Sequence, residues 1–322
     1  MTLTIPGLED IGEIGGGGTL FRAREEQRDR WVAVRLVEDL SERTVTAVRA
    51  LSRHPNAVAM MGSGVTATGQ GYLMFELLEE GSLGEWVAAD GRLPCGDVLG
   101  ISVKIAGALE TAHRAGVVHG DLRPDRIFIS PSGEPRLAGL DLAILRHAKA
   151  VMAGAPQPTI RDDVVALGAT MHMLLTAAPP EGGIPEAVEV PPSLGALVGR
   201  CLTVDSADQP ESVHEIAATI GEIQADLGLR PEELYVDEAA ASDAREALIQ
   251  TTPPAEPDLD PDPEPEPERK PKPVIVFDDL EPLEPWLQPG TGEGARLEAS
   301  PKLSRRRLFR VLGSRSRRGT QP

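Results

Sequence analysis

The apolar positions along this chain fall into two textures. Between residues 19 and 77 they come in short alternating runs, Thr19–Ala23, Trp31–Val37 and Tyr72–Leu77, which predict β-strands; a helical period interrupts them at Glu42–Leu51. From residue 95 onward the spacing becomes i, i+3, i+4. It predicts helices over Cys95–Ala115, Asp163–Thr176, Ser193–Leu202 and Ser212–Leu227. Strands first and helices after predict an α+β chain with a small sheet-rich lobe on a larger helical lobe.

The patterning fades near residue 227. Residues 253–273 read PPAEPDLDPDPEPEPERKPKP. Alternating proline and acid sustains neither a helix nor a strand ladder, and the like charges repel, so a disordered, solvated linker is expected over 228–300. An apolar-acidic island, VIVFDDLEPLEPWL, lies within it at 274–287. The end, 301–322, carries Lys302 and seven arginines, and no acid follows Glu298. Leu308, Phe309, Val311 and Leu312 would give a short basic helix an apolar side suited to an anionic membrane surface or an acidic partner. Thr251 and Thr252, beside prolines and acids, offer a partner kinase a site of modification.

Composition narrows the picture. Only 3% of the residues are aromatic, so the core must rest on Leu, Val, Ile and Ala. A net charge of −18 argues against a nucleic-acid partner for the whole chain. The two cysteines, Cys95 and Cys201, lack metal-site spacing and read as thiols in a reducing compartment. No apolar run approaches the roughly 20 residues of a spanning helix. A cytoplasmic protein is expected.

The segment GVVHGDLRPDRIFIS (116–130) resembles the catalytic loop of protein kinases, usually HRDLKPxN. Other kinase-like segments stand in family order around it: IGEIGGGGTLFRA (11–23) for the glycine-rich loop, WVAVRLV (31–37) for the VAIK strand, LSRHPNAV (51–58) after the αC helix, YLMFELLEEGSL (72–83) for the hinge, RDDVVALGATMHMLLT (161–176) and CLTVDSADQPES (201–212). The chain is therefore similar to bacterial, in particular actinobacterial, Hanks-type Ser/Thr kinases. The resemblance implies a kinase-like N-lobe over 7–78 and C-lobe over 79–227. It implies the fold and not the activity.

The resemblance places nucleotide contacts at Gly15, Gly18, Ala33, Arg35, Glu76, Leu78 and Arg126, with Phe75 as gatekeeper, and the catalytic loop at His119, Asp121 and Arg123. Kinases need a lysine on the phosphates, a glutamate orienting it, two metal ligands and a base. Here Arg35 replaces the lysine and Thr44 stands at the αC glutamate place, with Glu42 on another face. Glu13 takes the first loop glycine, Gly120 the HRD arginine, and Arg126 the metal-binding asparagine. Gly139-Leu140-Asp141 stands for DFG, so its metal-ligating aspartate becomes glycine; Arg136-Leu137 fixes this register against reading Asp141 as a shifted ligand. Residues 139–158 contain no Ser, Thr or Tyr to phosphorylate. Gln157 and Gln209 replace both ends of the APE–arginine ion pair, while Asp163, the family's brace for the catalytic loop, is kept.

These changes predict a pseudokinase, a signalling or scaffold module with Asp121 as a vestigial base and little or no phosphoryl transfer. ATP is expected to bind weakly, through Arg35 and Arg126, and Mg²⁺ not at all. Partners expected are proteins, among them an active Ser/Thr kinase or a phosphothreonine-binding domain, and an anionic membrane surface through 301–322. The competing reading is an atypical active Ser/Thr kinase that uses ATP and Asp121, with Asp141 or Asp125 as rearranged ligands.

Overall fold

In the computed structural model the described residues are 3–249, apart from 16, 39, 181–183, 186–187 and 204–206. Five antiparallel strands build the first lobe: β1 (Leu8–Glu13), β2 (Leu20–Glu25), β3 (Arg30–Val37), β4 (Met60–Val65) and β5 (Gly71–Glu76), in the order β1-β2-β3-β5-β4. The predicted strands at 19–23, 31–37 and 72–77 are β2, β3 and β5. Two strands escaped the pattern. β1, LEDIGE, breaks alternation with adjacent acids, and β4, MMGSGV, carries two glycines.

Helix α1 (Glu42–Leu51) lies between β3 and β4 in sequence. Its N-cap Ser41 accepts from the Thr44 N–H at 3.1 Å, and Ala47, Val48, Ala50 and Leu51 form its buried side. The opposite face of the sheet buries Ile5, Ala23, Val32 and Val34 under Leu3, Leu8 and Phe21.

The second lobe is helical. After α2 (Leu83–Asp90), closed by a Ser82–Glu85 capping box, comes α3 (Cys95–Arg114), the centre of the core. Leu99, Val103, Ile105, Ala106 and Leu109 are fully buried there. α5 (Ile160–Thr176), α6 (Pro192–Leu202) and α7 (Val213–Asp226) follow α4, which is described with the site, and α3 packs on both α5 and α7. Leucine, isoleucine, valine and alanine supply almost all of this core, as the scarcity of aromatics requires. The fold is the two-lobed α+β architecture, a small sheet lobe on a larger helical one.

The fold also runs past residue 227, where the linker was expected to begin. Residues 229–237 form a strap against α3 and α7, and α8 (Glu238–Ile249) packs along α1. The helical signal was weak because the buried side of α8 is Ala240, Ala241, Ala244 and Ala247 with a lone Leu248. The remaining linker residues, the island at 274–287, Thr251, Thr252 and the basic end lie outside the described residues.

Candidate functional site: a cleft between the lobes

The site is assembled from the β1–β2 turn, β3, the turn before the short strand β6 (Ile127–Ile129), and the segment after its partner β7 (Pro135–Leu137). Gly15 and Gly18 take left-handed backbone, φ +78° and +67°, which only glycine adopts without strain. The loop they form is closed by its own acid: the Gly18 N–H donates to Glu13 Oε1 at 2.7 Å.

Arg35, on β3, faces Asp141. Its Nε lies 2.6 Å from Oδ2, with side chains 16% and 5% exposed. Neither atom makes a well-directed hydrogen bond, so the contact is an ion pair approached off the N–H axis. Asp141 is delivered there by α4 (Leu140–Ala153), which starts after Gly139 (φ +102°). Thr44, buried on α1, turns its hydroxyl to Ser41 Oγ at 2.8 Å, and Glu42 is exposed on another side of that helix. α1 therefore sends no carboxylate to Arg35.

Asp121 is held by arginines. Arg126 Nη2 and Nε lie 2.5 and 2.9 Å from Oδ2, and Arg123 Nε lies 3.7 Å from Oδ1. A single 3-10 turn, Pro124–Arg126, brings Arg126 back onto the loop that carries Asp121. Asp125 leaves the cleft: its carboxylate fills the space beside Gly84 of α2. Burial pushes its pKa up, and Arg123 pulls the other way.

The frame beneath Asp121 is complete. Asp163, fully buried at 0% exposure, accepts from the His119 N–H (2.8 Å) and the Gly120 N–H (2.7 Å), with His113 Nε2 at 2.7 Å. Burial pushes the Asp163 carboxyl up, but the hydrogen bond and field of His113 and the two N–H groups outweigh it, leaving its pKa below the ordinary value. His119 donates from Nε2 to the Ala138 carbonyl at 3.0 Å and accepts the Asp121 N–H on Nδ1 at 3.2 Å, which fixes one neutral tautomer. Burial lowers its pKa against the pull of that carbonyl and of Asp163 and Asp121.

Residues 7–156 match the family model described as "Protein kinase domain". In this segment the chain is similar to bacterial Hanks-type protein kinases. It is 29% identical to the serine/threonine-protein kinase PknK of Mycobacterium tuberculosis, over 71% of this chain and 24% of that protein. It is 28% identical to the serine/threonine-protein kinase PknL of the same species, over 67% of this chain and 64% of that protein. A Myxococcus xanthus relative, serine/threonine-protein kinase pkn3, is 26% identical over 65% of this chain and 48% of its own length. The chain thus spans about a quarter of the length of PknK.

The remaining residues that the resemblance places at the nucleotide lie on β3 and β5 and just after β5. Ala33 pairs with Phe75 across β3 and β5, next to the Val32–Glu76 pair. Glu76 is turned inward: its carboxylate accepts the Ala59 N–H at 2.8 Å and faces Arg136 at 4.0 Å. Leu78, two residues further on, is half-buried.

Two kinase positions changed in ways that only the fold explains. Gly120, at the HRD arginine place, has φ +62°, and a Cβ there would press on Pro158. An arginine reaches this region from elsewhere, since Arg146 of α4 donates to the His119 carbonyl. Gln209, 4% exposed, donates to the Cys201 carbonyl and accepts from Arg161, each at 3.1 Å, while Gln157 is exposed. Arg146 and the partnership of Asp141 with Arg35 were not anticipated. The apolar spacing of Leu140, Ala143 and Ile144 was the available signal that a helix begins at residue 140.

Proposed function

We propose that this domain is a pseudokinase: a binding module that performs little or no phosphoryl transfer. One observation carries the reading. Three groups positioned to meet a nucleotide phosphate already face a carboxylate of the same chain: the Gly18 N–H faces Glu13, Arg35 faces Asp141 and Arg126 faces Asp121.

Phosphoryl transfer depends on positioning and on neutralising developing charge. Removing one preorganised contributor typically costs about 10²–10³ in rate. Here the two family positions for magnesium read Arg126 and Gly139. A guanidinium has no lone pair to donate and glycine has no side-chain oxygen. The nearby carboxylates, Asp121 and Asp141, are committed to arginines. That donor set does not fit a divalent cation. ATP then competes with the internal carboxylates for Arg35 and Arg126, and binds weakly and without metal.

A second reading, an atypical active Ser/Thr kinase, draws its support from the intact brace of Asp163 on the catalytic loop and from relatives named as serine/threonine-protein kinases. Radiolabelled phosphate transfer with Mg²⁺ or Mn²⁺ separates the two. The pseudokinase reading expects no transfer above background; transfer abolished by Asp121→Asn would establish the active kinase.

The function then lies in contacts with proteins, among them an active Ser/Thr kinase or a phosphothreonine-binding domain. The basic segment 301–322 would supply attachment to an anionic membrane. Liposome co-sedimentation with and without 301–322 tests the latter.

A further inference from the structure

The strap and α8 are received by specific contacts from α7, α3 and the α1–β4 turn. The buried Gln224 side chain of α7 accepts the Glu232 N–H at 2.9 Å. Lys104 of α3, 2.5 Å from Glu134, also reaches Glu232 at 3.5 Å. The Tyr235 carbonyl lies against α3 at Gly107, where a Cβ would overlap it, and meets His54 Nε2 at 3.0 Å. The Tyr235 ring stands over the His54 ring, centroids 5.2 Å apart. The Thr111 hydroxyl accepts the Asp237 N–H at 3.1 Å, and the Asp237 side chain caps α8 through the Ala240 N–H at 2.8 Å. α8 then lays its alanine side on α1, where small residues permit close approach, and Asp243 pairs with Arg53 at 2.6 Å just beyond the end of α1.

Among the described residues, no carboxylate of α1 reaches Arg35, which is taken by Asp141, and Thr44 is taken by Ser41. Its outer anchor is α8, which begins only after the chain has been fastened to α7, α3 and the α1–β4 turn. We infer that residues 229–249 form an intramolecular clamp that sets the position of α1. The position of α1 then depends on this segment and not on nucleotide. The independence from nucleotide rests on the pseudokinase reading; the clamp itself does not.

The test is hydrogen exchange on the full-length chain. Gly107→Ala should stiffen α3 as a helix, because alanine is the better helix former, yet its Cβ meets the strap backbone. Ala244→Glu puts a charge into the buried side of α8 and leaves the sequence of α3 unchanged. Both variants are expected to raise exchange across residues 42–51 at least tenfold while α5 and α7 keep their protection. Unchanged exchange in α1 would overturn the clamp. So would loss of protection throughout the helical lobe in both variants, which would make the strap ordinary core. A third arm adds millimolar ATP to the wild type, where no change in α1 is expected. A change there, with the variants behaving as stated, would retain the clamp and sink the nucleotide independence.

Discussion

Arg126 closes on Asp121, with two guanidinium nitrogens at 2.5 and 2.9 Å from one carboxylate oxygen. The residue that replaces a metal ligand therefore also occupies the family's base. A general base must lie within about 2.6–3.2 Å of the hydroxyl it deprotonates, and that approach is filled. Arg126→Asn frees Asp121 and restores one ligand type, but Gly139 still offers none. The variant is expected to show no phosphate transfer and to lose about 1–2 kcal/mol, discounted for partial exposure. Adding Gly139→Asp puts a side chain on left-handed backbone with its Cβ 3.1 Å from His119 Nε2. That should cost about a further 1–3 kcal/mol by chemical denaturation.

The Arg35–Asp141 pair is more deeply buried and its loss should be asymmetric. Arg35→Ala leaves a 5% exposed carboxylate without its partner, at a cost of about 3–5 kcal/mol. The double variant Arg35→Met/Asp141→Leu removes both charges and should recover most of that loss. A double-mutant cycle by urea denaturation measures it, and equal destabilisation in the single and double variants would contradict the pairing.

How much of this was legible beforehand differs by contact range. Arg35, Arg126 and Gly139 stood out because nearby motifs such as Arg136-Leu137 fix their register. The Arg126–Asp121 pair spans one turn and was within reach of the sequence. The Arg35–Asp141 pair joins two lobes, and depends on residues 140–153 being helical, a segment for which the apolar spacing was not read as a helix. The clamp was missed for a compositional reason: alanine buries little apolar area, so EAAASDAREALI lacks the leucine and valine rhythm that revealed α3.

Stability should fall as pH drops, in two windows. Burial lowers the pKa of His119, and also of His54. Unfolded histidine takes up a proton near pH 6.5 while these two resist it, so the unfolded state binds more protons and stability begins to fall below about pH 6.5. Asp163 has a lowered pKa as well. Its contribution is complete above the unfolded carboxyl value, about pH 4, and is lost as pH falls through its folded value. Urea midpoints between pH 8 and 3 should show both declines. Asp163→Asn should flatten the lower one and, by weakening the bonds to the His119 and Gly120 N–H groups, lower stability at pH 7 by about 1–3 kcal/mol.

The glycine loop offers the most direct probe of the cleft's state. Glu13 accepts the Gly18 N–H at 2.7 Å, so its carboxylate stands where a phosphate oxygen would accept the same donor. Glu13→Gln keeps the side chain's size and an acceptor oxygen but removes the charge; Glu13→Ala removes both. If internal carboxylates compete with nucleotide, both variants should bind ATP more tightly than the wild type in EDTA, Ala more than Gln. The gain should be no more than a few-fold, because Glu13 is exposed and screened by solvent. Asp141→Asn, which releases a better-shielded competitor from Arg35, should produce the larger gain where the fold survives. Thermal shift against ATP reads all three. Equal, undetectable binding in every variant would mean that lost geometry, and not internal competition, closes the cleft to nucleotide.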